Sequence, residues 1–193
     1  MAVDFLQRHN SVAAYLQTAW HTSTPKDIAW SSDQSVSILH ICTWLSLTSI
    51  ISALGHGTID VDIREPIDHK TPLIYACKRD HLDITHQLLT LGASVNASSF
   101  GGTTSIFEAI AGNHTDIIKP PSSERELQIN TEDLGQYKRT ALMTAVSSQL
   151  FSTVQDLSQT PVLDINKQDV NSSTALSIAV TQDDPSIIRL LLD

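Results

Sequence analysis

A chain of 193 residues with 41% hydrophobic and 17% charged side chains is long enough for a folded domain or a short repeat array, and too apolar for a disordered segment. Its net charge of −9, with no basic cluster larger than a pair, argues against nucleic acid and anionic membranes as partners. The two cysteines lack metal-binding spacing and the first residues do not resemble a signal peptide. We therefore expect no metal or other cofactor, and an intracellular location in the cytoplasm or nucleus.

The first 36 residues differ from the rest of the chain. Apolar residues are dense between Val3 and Trp20, which predicts a helix or a helix pair. Because the terminal units of a repeat stack expose an apolar flank, we expect residues 1–36 to form an N-terminal helical cap that includes Trp20 and Trp30.

Five similar segments follow, and each opens with a residue that favours the start of a helix. The openings are Ser37, Thr71, Thr104, Thr140 and Thr174, with spacings of 34, 33, 36 and 34 residues. In the clearest segment, Thr71 is a good helix N-cap, Pro72 suits the first turn, and Gly92 stands where a helix end needs a positive φ. We call the segments repeats 1 to 5 and count positions from the opening residue, so that +4 lies four residues after it.

Repeat 2 resembles an ankyrin repeat, from its Thr71-Pro72-Leu73 opening to its Gly92-Ala93-Ser94-Val95-Asn96 close, and the spacing agrees with the ankyrin period of about 33 residues. The resemblance implies an all-α ankyrin-repeat solenoid of stacked helix pairs. Its domains would be the helical cap over residues 1–36 and an ankyrin-repeat domain over residues 37–193. We expect about five repeats, the third irregular and the last truncated.

Two places depart from the family pattern. In repeat 3, Pro120 and Pro121 should end the second helix early, and the connection over residues 131–139 is two residues longer than standard. This segment is either a tolerated surface insertion or a re-aimed loop at a binding edge. At the other end, Leu191 and Leu192 would leave an apolar surface bare. We interpret this as a piece of a longer protein, with a partner-binding end as the alternative.

The resemblance gives structural roles to three histidines. His40 stands where the family has a histidine that ties adjacent loops together, whereas His81 and His114 stand where one braces the turn between helices. No nucleophile, phosphate-binding or metal-binding motif occurs, so we predict no catalytic residue and no metal ligand, and favour a protein that is not an enzyme. Cys42 and Cys77 are expected to be buried and inert.

Partner recognition in ankyrin solenoids usually takes place on the concave side, which implies binding at exposed positions +4, +7 and +8 and at the tips of the connecting fingers. Trp, Tyr and Arg are the commonest interface anchors, and an exposed basic group would suit an acidic partner segment. The predicted partner-binding residues are Trp44, Arg64, Tyr75, Lys78, Arg79, Phe100, Glu108 and Tyr137. The residues expected at the finger tips also include Glu65, His69, Ser99, Asp133, Gln136, Lys167 and Asp169. An alternative for Trp44 is packing against the N-terminal cap.

The leading hypothesis is a protein-binding module that acts as an interaction scaffold, with a protein or peptide segment as its partner. The alternative is a small-molecule-binding protein or enzyme on the same scaffold, with a pocket around Phe107, Glu108 and Tyr137 near the irregular repeat. A third interpretation is that the repeats mask or position a further domain of a longer parent chain.

Overall fold

The structure, a computed structural model, describes residues 37–54, 59–114, 130, 132–133, 137–160 and 163–193, apart from the side chains of residues 38, 53 and 54. Within these ranges the regular secondary structure consists of nine helices. They are α1 (Ile38–Trp44), α2 (Thr48–Leu54), α3 (Pro72–Lys78), α4 (Leu82–Thr90), α5 (Ser105–Ala111), α6 (Ala141–Ser147), α7 (Phe151–Ser158), α8 (Ala175–Thr181) and α9 (Pro185–Leu192). The expected cap over residues 1–36 and the proline pair Pro120-Pro121 lie outside the described residues.

The helices pack in two layers. Helices α1, α3, α5, α6 and α8 form the first layer, in which each begins directly after the opening residue of a repeat and packs on the next. Helices α2, α4, α7 and α9 form the second layer, and each packs against the first-layer helix of its own repeat. Within that layer α2 contacts α4 and α7 contacts α9. The prediction of an all-α solenoid of stacked helix pairs is confirmed.

The opening residues act as helix caps, as the sequence predicts. The hydroxyl of Thr71 accepts a hydrogen bond from the Ile74 amide at 3.4 Å, and Thr140 and Thr174 cap α6 and α8 in the same way. A cap of this kind contributes about 1 kcal/mol. Thr104 has the same extended backbone, but its side chain makes no cap hydrogen bond. The first helix of repeat 3 therefore lacks the stabilisation that this bond gives to the others.

A tight turn follows the first helix of each repeat, with the same backbone geometry in all five. The residue at +9 has a φ between +54° and +59°, and the amide at +10 donates to the carbonyl at +5 at 2.8–3.3 Å. The residues at +9 are Ser46, Asp80, Asn113, Gln149 and Asp183. The turn therefore holds the repeat frame through the irregular third repeat, although none of these residues is a glycine.

The core lies between the layers and is built around a small residue at +5. Small side chains at this position let neighbouring first-layer helices approach closely, and in every repeat they are fully buried. They are Cys42, Ala76, Ala109, Ala145 and Ala179. Branched side chains fill the space beyond them, such as Ile84 and Leu88 of α4, which are also fully buried.

Histidines link successive repeats through carbonyl groups. The His40 ring approaches the Lys70 carbonyl through Nε2 at 2.9 Å, and burial lowers the pKa of this histidine. His81 Nδ1 lies 2.7 Å from the Thr43 carbonyl, and His114 occupies the equivalent place in repeat 3. These contacts confirm the predicted structural roles. His40 joins α1 to the finger that follows it, whereas His81 and His114 each join a turn to the end of the preceding first-layer helix.

Candidate protein-binding surface

A hairpin loop, the finger, leads to the opening residue of repeats 2 to 5. Its first residue donates its amide to the carbonyl of the residue just before the opening, at 2.9–3.1 Å. The side chain of the same residue accepts hydrogen bonds from amides inside the loop. These first residues are Glu65, Ser99, Asp133 and Asp169. The side-chain oxygen of this first residue therefore satisfies backbone amides of the loop and fixes the position of the finger tip.

The prediction that Glu65, Ser99 and Asp169 are exposed tips is wrong. Their exposed fractions are 2%, 7% and 7%, because each side chain is enclosed by the loop whose amides it binds. The finger of Glu65 is one residue longer than that of Ser99, and the longer side chain still reaches the amides of Ile67 and Asp68 at 2.7 Å.

The exposed tips carry apolar side chains instead. Their exposed fractions are 49%, 81%, 44% and 55% for Ile67, Phe100, Tyr137 and Val170, which we call the tip row. The tips are joined in two pairs, since the Phe100 amide donates to the Asp68 carbonyl at 2.6 Å and the Val170 amide to the Tyr137 carbonyl at 3.2 Å. Sequence reasoning found Phe100 and Tyr137 but missed Ile67 and Val170. The signal was present, because Ile67, Phe100 and Val170 all stand four residues before an opening.

Arg64 holds two fingers in place rather than pointing freely into solvent. Its guanidinium donates through Nη1 to the His69 carbonyl at 3.1 Å and to the Ser98 carbonyl of the next finger. The His69 ring in turn packs edge-on against the Phe100 ring, with centroids 6.0 Å apart. The position of the exposed Phe100 ring is therefore restricted by its contact with His69, in a finger that Arg64 holds.

A second group of predicted residues meets at the ends of α1 and α3, and we call it the Trp44 stack. The Arg79 guanidinium lies 3.9 Å from the centroid of the Trp44 ring. The Trp44 ring also packs edge-on against Tyr75, with centroids 5.9 Å apart. Lys78 is the exposed neighbour of Arg79 at the end of α3. Four of the eight predicted binding residues are thus brought together.

Position +4 is not the exposed position that the sequence suggested. Tyr75 is only 7% exposed, because it lies between the His40 and Trp44 rings of repeat 1. Burial and nearby carboxylates, Glu65 foremost, raise the pKa of its hydroxyl. Ile41 and Ile178, the equivalents in repeats 1 and 5, are also buried. Residues at +7 and +8 are exposed or partly exposed in every repeat, as predicted.

Two further predicted residues, Glu108 and Tyr137, lie outside the Trp44 stack. Glu108 forms an ion pair with Lys70 at 3.5 Å, which joins α5 of repeat 3 to the finger that leads to repeat 2. The Tyr137 ring lies 4.9 Å from the guanidinium of Arg139, whose Nη1 donates to the Ser147 hydroxyl at 2.8 Å. Glu108 therefore acts within the fold, whereas Tyr137 belongs to the tip row.

Potential metal ligands and thiols are among the side chains most often used in catalytic chemistry. In the part of the chain that the structure describes, no group of three or more His, Cys, Asp or Glu side chains could hold a metal ion. Both cysteines are buried free thiols, as expected, and burial raises the pKa of Cys42 to about 11 and of Cys77 to about 12. The alternative pocket stays a prediction, with Phe107 buried in the core and Glu108 paired.

The last helix is apolar on more than one side. Ile187 of α9 is fully buried, whereas Leu192 is 67% exposed. Across the described ranges, no helix is long and apolar enough to cross a membrane.

Comparison with known families supports the repeat architecture. Residues 38–120 fit the family model described as ankyrin repeats, in three copies. The match covers repeats 1 and 2 and the beginning of repeat 3. The shared turn at +9, the buried small residue at +5 and the opening caps extend the same architecture through α9.

Proposed function

This chain is an ankyrin-repeat protein, and from that premise we propose that it is a protein-binding module that acts as an interaction scaffold. Ankyrin repeats are generally protein-interaction modules. The surface that we assign to the partner is the concave face, made of the finger tips and the exposed +7 and +8 ends of the first-layer helices. We propose an intracellular location, supported by the two free and buried thiols. We also propose that this chain is part of a larger protein.

The observation that carries this proposal is the tip row. Phe100 is 81% exposed on a finger that hydrogen bonds hold in place. Exposed apolar side chains that lie close together are typical of surfaces that a partner covers. Tyr137 and Val170, on the two later fingers, are exposed apolar side chains as well, and their fingers are joined by a hydrogen bond. Aromatic residues fixed in advance make good anchors, because little side-chain freedom is lost when a partner binds.

The chain contains a matched control for this surface. Phe151 is 45% exposed and lies at the start of α7, in the second layer of helices. Phe100 is 81% and Phe151 45% exposed, so neither Phe100→Ser nor Phe151→Ser should change the far-ultraviolet circular dichroism of the protein. Only Phe100→Ser should affect a partner on the finger side.

The experiment compares three immobilised baits in one cell lysate, namely the wild type, Phe100→Ser and Phe151→Ser, with quantitative mass spectrometry of the retained proteins. We expect a set of proteins that the wild type and Phe151→Ser retain equally and that Phe100→Ser loses about 10-fold or more, as for an anchor worth over 1.4 kcal/mol. Retention that is equal for all three baits, or equally reduced by both substitutions, would contradict the proposal.

A further inference from the structure

Most cationic side chains near the fingers are neutralised within the protein. Lys70, Arg139 and Lys167 each lie within 4 Å of a carboxylate, at 3.4–3.5, 3.8 and 3.2 Å respectively. Lys78 and Arg79 differ, because no hydrogen bond or ion pair from the described part of the chain engages either side-chain charge. In a protein with a net charge of −9, this is an adjacent and unneutralised basic pair.

Arg79 is also fixed in position. Its guanidinium lies 3.9 Å from the Trp44 ring centroid, and that ring packs against the buried Tyr75. A guanidinium stacked on a ring keeps its N–H groups in its own plane, where they can donate to a carboxylate from the side. Because the stack already restricts the side chain, less rotational freedom is lost on binding than for a free arginine.

The surface beyond the pair is open. Ala111 and Gly112 occupy +7 and +8 in repeat 3, and Ser147 and Ser148 occupy them in repeat 4. Ala111, Gly112 and Ser148 are exposed, whereas the His114 ring fills the space beside the Gly112 Cα and the Ser147 hydroxyl accepts a hydrogen bond from Arg139. An extended segment along the ends of the first-layer helices would therefore contact Ala111, Gly112 and Ser148. The nearest acidic side chain in sequence, Asp80, is directed towards His114, with its carboxylate 3.5 Å from Nδ1.

We propose that Arg79 and Lys78 bind a carboxylate-bearing segment of the partner protein, rich in Asp or Glu, which runs from the Trp44 stack along the small residues of repeats 3 and 4. This inference rests on the proposed protein-binding function and specifies the chemistry of the partner. An acidic segment is repelled by most of this acidic molecule, so the basic pair provides both attraction and register.

The test begins with a library of random 12-residue peptides displayed on phage and selected on the wild-type protein. We expect selected peptides to hold two or more additional carboxylates relative to the unselected library. The best peptide, labelled with fluorescein, is then measured by fluorescence anisotropy against three variants. They are Arg79→Gln, Lys78→Gln and the control Arg189→Gln, which removes an exposed cation from α9 in the second layer.

Loss of the charge-assisted contact in Arg79→Gln should lower the affinity for the peptide about 10- to 100-fold. Lys78→Gln should weaken it less, since lysine makes no bidentate contact, and Arg189→Gln should leave it unchanged. Raising the salt concentration from 50 to 300 mM should lower the peptide affinity of the wild type more than that of Arg79→Gln.

The outcomes separate this inference from the proposed function. Selected peptides without added carboxylates, whose binding depends on Phe100 and not on Arg79, would overturn the acidic segment and leave the protein-binding function standing. A selection that yields no peptide would also overturn a linear acidic segment, while the Phe100 and Phe151 baits would test the function separately. Equal weakening by Arg79→Gln and Arg189→Gln would show only a general effect of charge and contradict the assigned site.

Discussion

Replacing Gly92 by alanine isolates the contribution of one backbone conformation to the stability of repeat 2. Gly92 follows α4 with a φ of +89°, and its amide donates to the Leu89 carbonyl at 3.0 Å. A Cβ atom added there would meet nothing within 4 Å, so the substitution creates no clash. Any loss of stability must therefore come from the left-handed backbone.

The magnitude follows from two opposing effects. A Cβ atom in the left-handed region costs about 1–2 kcal/mol. Alanine also restricts the unfolded chain, which returns about 0.4–1 kcal/mol. We therefore expect Gly92→Ala to lower the free energy of unfolding by about 1 kcal/mol.

Gly101→Ala is the matched control. Its φ lies outside the left-handed region, and the nearest atom to an added Cβ is the Ser99 hydroxyl at 4.0 Å. Only the effect on the unfolded chain remains, so this variant should be about 0.4–1 kcal/mol more stable than the wild type. Urea denaturation followed by circular dichroism gives both values, and the m-value should not change. If the two variants shift the midpoint by the same amount and in the same direction, the backbone reasoning is refuted.

Three other predictions test the packing. Leu88→Ala, at a fully buried site, should cost about 3–5 kcal/mol in urea denaturation, whereas Leu192→Ala at a largely exposed one should cost under about 1 kcal/mol; equal costs would contradict the assigned core. Because burial lowers the pKa of His40 in the folded protein, the unfolded chain takes up its proton more readily. The free energy of unfolding should therefore fall as the pH drops below about 6.5, and this fall should be smaller in His40→Gln; an identical pH dependence would refute the assignment. Cys42 and Cys77, with thiol pKa values raised to about 11 and 12, should not react with a thiol reagent at pH 8 until urea unfolds the chain, and rapid reaction of the native protein would contradict their burial.

The repeat frame could be predicted from the sequence because local chemistry sets it. Thr71 and its equivalents cap a helix through their own hydroxyl groups, and small residues at +5 recur wherever two helices must approach closely. The turn at +9 could not be predicted in the same way. It uses Ser, Asp, Asn and Gln in a left-handed conformation, which the surrounding turn imposes without glycine.

The binding surface could be predicted only in part, because exposure depends on what neighbouring repeats place around a residue. Position +4 was expected to face solvent, yet Tyr75 is enclosed by rings of repeat 1. Glu65 was expected at a tip, yet its carboxylate closes the loop from inside. Ile67 and Val170 could have been found by aligning the residue four before each opening with Phe100. The contact between Arg79 and Trp44 joins two repeats and has no signature in either one.

The most direct test of the central claim, that a polypeptide binds along the finger tips, places a photo-activated cross-linking amino acid at position 100 or position 151 of the full chain. Both sites hold an exposed phenylalanine, so the probe replaces a ring of similar size in each case. We expect illumination in cells to cross-link the chain to the same few proteins from position 100 and not from position 151. Cross-links to the same proteins in equal yield from both positions, or from position 151 alone, would contradict the central claim.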